Sequence, residues 1–79
     1  MTIEQKTMIR YEIRSQLEIG LGTLIAYADS WHTKQQAFDL RHEWSNNVAE
    51  YLKGEITTDT IVKERTDIRE RALKVMDND

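Results

Sequence analysis

Apolar residues recur at helical intervals along most of the chain. Ile9 and Ile13, Leu17, Gly20 and Leu21, Leu24, Tyr27 and Ala28, and Trp31 follow one another every three or four residues. That spacing marks one face of an α-helix. Thr2 suits the N-cap and Glu4 the first turn, where a carboxylate meets the positive end of the helix dipole. The pattern predicts a first helix over 2–29, with Asp29-Ser30 as its break. A straight helix of that length measures about 40 Å, whereas a compact domain of this size is about 30 Å across. Either the helix bends near Gly20, at Gly20-Leu21-Gly22, or one end projects and is covered by a second copy. Leu17, Ile19 and Leu21 also alternate as a short strand would, although both flanks are helical in pattern.

The second predicted helix spans 33–53. Thr33-Lys34-Gln35-Gln36 fits a capping box, in which hydroxyl and amide each satisfy a free backbone N–H. Ala37, Leu40, Trp44, Val48 and Tyr51 form its stripe, flanked by Phe38 and Leu52, and Gly54 stands where a left-handed C-terminal residue is wanted. The third helix spans 58–76, beginning after Thr57 or Thr58. Its face carries Ile61, Ile68 and Val75 at seven-residue steps, widened by Ala72, Leu73 and Met76. Asp59, Lys63, Asp67 and Arg71 alternate in sign at four-residue steps on the other side, each such pair contributing about 0.2–0.5 kcal/mol. The short link 54–57 makes the second and third helices an antiparallel hairpin. The expected architecture is all-α: a single-domain three-helix bundle over 1–79 with a bent first helix, forming a homodimer.

Composition sharpens this picture. With 79 residues, 39% of them hydrophobic, the chain can build one small core. Such cores seldom supply more than about 3–5 kcal/mol without a staple or a partner. No cysteine is present, so disulfides, thiolate metal sites and cysteine nucleophiles are excluded. No proline interrupts the helices. A net charge of −3 disfavours nucleic-acid and anionic-membrane partners, which reward excess Lys and Arg. The apolar run 19–28 ends in Ala26-Tyr27-Ala28, which imitates a leader cleavage site. The preceding Lys6, Arg10 and Arg14 are balanced by Glu4, Glu12 and Glu18, unlike a positive leader start. Ten residues also fall short of the ~20 needed to cross a bilayer. The expected location is the cytoplasm.

Candidate chemistry is sparse. His42-Glu43 opens like a zinc-protease helix, but Asn46 stands where the second histidine is required. Gly20-Leu21-Gly22 lacks the third glycine and preceding strand of a dinucleotide loop. No catalytic residue, metal site or cofactor is expected, and the chain reads as a non-enzyme. Lys6, Arg10 and Arg14 stack at four-residue spacing, an arrangement of like charges that repels slightly and asks for a cause. Either they contact phosphates, or Glu12, Glu18 and carboxylates of the third helix neutralise them. Arg65, Arg69 and Arg71 pose the same choice.

The aromatic residues Tyr27, Trp31, Trp44 and Tyr51 coincide with the helical seams and are expected mainly in the core. Ile25 and Phe38 lie beside the principal seams and Leu21 at the edge of its own, so one subunit would leave them facing water. Leu21, Ile25, Trp31, Phe38 and Trp44 are therefore the candidate partner-binding residues. The expected function is a non-enzymatic protein-binding module, a small regulator or inhibitor of a larger protein. Its type is common among phage and mobile-element accessory proteins, an analogy that names no target. The alternative is a nucleic-acid-binding regulator using Lys6, Arg10 and Arg14.

Overall fold

Thr2 caps the first helix as its sequence directs. In the computed structural model, which describes residues 1–79, its hydroxyl accepts from the Gln5 N–H at 3.1 Å. The Gln5 side chain accepts in return from the Thr2 N–H at 2.9 Å, closing a capping box. This helix, α1 (Ile3–Ser15), stops at Gln16, whose φ of −143° and ψ of 82° leave the helical region. α2 (Leu17–Tyr27) begins at the next residue and runs back beside α1. The pairing of Thr23 with Glu12, and of the Met1 ammonium with Asp29, fixes that antiparallel course.

The expected single helix over 2–29 is thus two helices, and the break falls at Gln16, not at Gly20. No strand forms at 17–21. The physical reason lies in the seam itself. A straight rod would line Ile9, Ile13, Leu17, Leu21 and Leu24 along one uncovered stripe. Folding at Gln16 turns the two halves of that stripe toward each other, and all five side chains are buried. Gly20 makes the fold-back close: a Cβ at this position would lie 2.5 Å from the Ile13 nitrogen and 2.7 Å from its Cα.

α3 (Trp31–Leu52) starts two residues before the expected boundary. Its cap is Ser30, whose hydroxyl accepts from the Thr33 N–H at 3.0 Å. Thr33 itself is buried in the first turn, so the expected Thr33–Gln36 capping box does not form. Ser30 wins because it precedes the Trp31 turn while Thr33 is needed inside. At the other end Gly54, with φ of 78°, completes a Schellman motif. The Gly54 N–H bonds the Tyr51 carbonyl and the Glu55 N–H the Glu50 carbonyl. α4 (Thr58–Asp77) is capped by Thr57. Bonds from Asn47 to Glu64 and from Arg71 to Glu43 tie α3 and α4 into the expected antiparallel hairpin.

The result is an all-α, up-down-up-down arrangement of four helices, where three were expected. Ile9, Ile13, Leu21, Leu24, Ile68 and Met76 are fully buried at its centre. Ala37 of α3 and Ala72 of α4 are buried in the same cluster. α1 and α2 are about 20 and 16 Å long, α3 and α4 about 33 and 30 Å. The far end of the α3–α4 hairpin therefore extends past the shorter pair, and the molecule measures 40 × 21 × 16 Å. No helix is long and apolar enough to cross a membrane.

Candidate protein-binding surface

The tight cap at Ser30 makes Trp31 the first residue of α3, at the edge of the bundle. Its side chain is 77% exposed, and Phe38, two turns later on the same face, is 58% exposed. Between them Ile25 of α2, with Lys34 and Gln35, completes a shallow depression of about 280 Å³. The Lys34 ammonium donates to the Ile25 carbonyl at 2.7 Å. It thus neutralises the negative end of α2, which has no basic residue of its own in the last turn. Phe38 also borders a neighbouring depression of about 280 Å³ formed by Glu18, Arg41, His42 and Ser45. Arg41 approaches Glu18 there at 4.0 Å. An aromatic ledge running into a mixed-charge edge has the anatomy of a protein contact, apolar at its centre and polar at its rim.

Not every expected contact residue belongs to this ledge. Leu21 is 0% exposed and packs in the core, so it drops out of the candidate surface. The fold-back at Gln16 turned its face inward. Ile25 is half-buried and lines the depression. Trp44 is half-buried against the core; thirteen residues from Trp31, it sits about 220° away around α3. Tyr27, which the seams assigned to the core, is exposed at the end of α2. The structure joins Ile25, Trp31 and Phe38 and separates Trp44 from them.

The basic stripe on α1 is divided. Lys6 is half-buried, and Arg10 pairs with Asp77 of α4 at 3.2 Å. Arg14 has no carboxylate partner. It borders a depression of about 150 Å³ whose other cationic walls are Arg65 and Arg69 of α4. Neutralisation by α4 therefore holds for Arg10 alone. The convergence of Arg14 with Arg65 and Arg69 escaped the sequence, although one signal was there: neither Arg65 nor Arg69 has an acid three or four residues away.

Compared with protein-family models, curated proteins and solved structures, the chain matches none.

Two perturbed titrations serve the fold. The Arg71 guanidinium donates to Glu43 at 3.0 Å and to Asp67 at 3.1 Å, and these bonds hold its pKa above the ordinary arginine value. Burial pushes the Asp79 carboxyl up, but donors from Asp29 N–H, the Thr33 hydroxyl and Ser30 N–H outweigh it. Its pKa ends below the ordinary value of 3.8. Asp79 thereby ties the end of α4 to the start of α3. No group of three or more His, Asp or Glu residues is placed to hold a metal.

Proposed function

We propose that this chain is a non-enzymatic protein-binding module, a small regulator or inhibitor that covers part of a larger protein. The ledge of Trp31 and Phe38 is its contact surface. The observation that carries the proposal is the exposure of these two large aromatics on one face beside Ile25. Large aromatics left in water have a hydration cost that a binding partner removes, and Trp and Tyr are enriched among the residues that dominate interface energy. The edge of Glu18, Arg41 and His42 supplies the polar rim that fixes orientation. A second copy of this chain is the self-associating form of the same proposal, since an apolar patch at one edge can pair with itself about a two-fold axis.

The α1 stripe supports a nucleic-acid contact less well, because Arg10 is engaged by Asp77 and Lys6 is half-buried. The test combines light scattering with affinity capture, using the intact chain and the variants Trp31→Ala and Phe38→Ala. Both positions are exposed, so each variant should keep its stability within about 0.5 kcal/mol. Loss of a stoichiometric partner, or of the dimer, in these variants supports the ledge. Undiminished binding by the double variant would remove it.

A further inference from the structure

Arg14, at the end of α1, and Arg65 and Arg69, one turn apart on α4, wall one depression of about 150 Å³ floored by Ile13 and Leu17. Three guanidiniums placed this way repel one another, and none of them is paired with a carboxylate of the chain. The other arginines are paired: Arg10 with Asp77, Arg41 with Glu18, Arg71 with Glu43 and Asp67. The three around this depression have no carboxylate within 4.0 Å. The nearby acids on α1 and α2 are turned elsewhere, Glu12 toward Thr23 and Glu18 toward Arg41. Leu17 also opens α2, a helix whose N-terminus has no side-chain cap, so that end adds positive potential to the same corner. In a chain of net charge −3, an uncompensated cationic cluster of this size is a local inversion of sign.

We propose that Arg14, Arg65 and Arg69 form a binding site for a single phosphate-type oxyanion, either free inorganic phosphate or the phosphoryl group of a small ester. Guanidinium groups present planar pairs of N–H donors that match two oxygens of such an anion. Three of them can saturate a tetrahedral group while its charge removes their mutual repulsion. The depression has room for one such group, and its floor is apolar, which strengthens the ionic contacts above it. An extended polyanion is the less suitable ligand, because Arg10 beside the cluster is already paired and the chain as a whole is acidic. The site stands apart from the Trp31–Phe38 ledge and does not depend on it.

The test is titration of the full chain with inorganic phosphate, phosphoserine and adenosine monophosphate, read from the arginine Nε–Hε resonances. Saturable shifts confined to the three arginines are expected. Binding should weaken about tenfold or more in Arg65→Gln and Arg69→Gln and be unchanged in Lys53→Gln, an exposed cation elsewhere. Without anion, R65Q and R69Q should unfold at the same temperature as the parent or higher; with phosphate the parent should gain more than either variant. Tighter binding of an ester than of inorganic phosphate assigns the group to an ester, and equal binding assigns it to the free ion. The proposal is overturned by equal shifts with chloride at matched ionic strength, or by full binding in R65Q and R69Q. Binding of a DNA duplex alone, falling steeply with salt, also overturns it, because the arginines would then track an extended backbone.

Discussion

Replacing Gly20 by alanine tests the fold-back of α1 and α2 directly, because helix propensity and packing oppose each other there. Propensity alone favours alanine within a helix by about 0.8–1.0 kcal/mol. The structure reverses that sign. The new Cβ would lie 2.5 Å from the Ile13 nitrogen and 2.7 Å from its Cα, against an ordinary contact of 3.4–4 Å. The obstacle is backbone, so no side-chain rotation relieves it, and α1 must withdraw by about 1 Å. Overpacking of this kind costs about 1–3 kcal/mol, and a gap of that width forfeits a quarter to a half of each dispersion contact across it. A net loss of about 1–2 kcal/mol remains, lowering the unfolding temperature by roughly 5–15 °C for a domain of this length. Gly22 is the internal control. Its added Cβ would meet only the Arg41 guanidinium, at 3.6 Å, so Gly22→Ala should gain up to about 1 kcal/mol. Thermal and urea unfolding followed by circular dichroism would read both. If Gly20→Ala proved as stable as Gly22→Ala, α1 and α2 would not be packed as described, and a continuous helix through Gln16 would be the better account.

Leu21→Ala should cost about 2–5 kcal/mol in urea unfolding, because the side chain is fully buried; a change under 0.5 kcal/mol would return Leu21 to the surface. Gly54→Ala should cost about 1 kcal/mol, since the left-handed conformation at φ 78° strains any residue with a Cβ. An unaffected unfolding midpoint would contradict the Schellman geometry. The Asp79 carboxyl is more acidic folded than unfolded, so its contribution is present above the ordinary carboxylate value of 3.8 and is lost as pH falls through the lower folded value. Asp79→Asn should therefore flatten the loss of stability below pH 3.8 relative to the parent; identical acid profiles would show that Asp79 does not hold α3.

Local sequence settled the elements whose signals are local. Thr2 and Gly54 fix helix ends through bonds to neighbours within a few residues and act where the sequence places them; of the two candidates Thr57 and Thr58 it is Thr57 that caps α4, and the Thr33 box gives way to Ser30. The α3–α4 hairpin follows from a short link between two amphipathic stretches. Helical periodicity also placed Ile9, Ile13, Leu40, Ile68 and Ala72 in the core. It could not place the reversal at Gln16. A three-and-four repeat that runs straight and one that folds upon itself have the same spacing, and only tertiary burial of the two half-stripes tells them apart. That same event decided the candidate sites. It moved Leu21 inside, left Trp31 and Phe38 outside, and carried Arg14 to Arg65 and Arg69, which lie some fifty residues away in sequence. Surface chemistry here is set by which helices meet, and that is a property of the packed chain, fixed by the area each alternative removes from water.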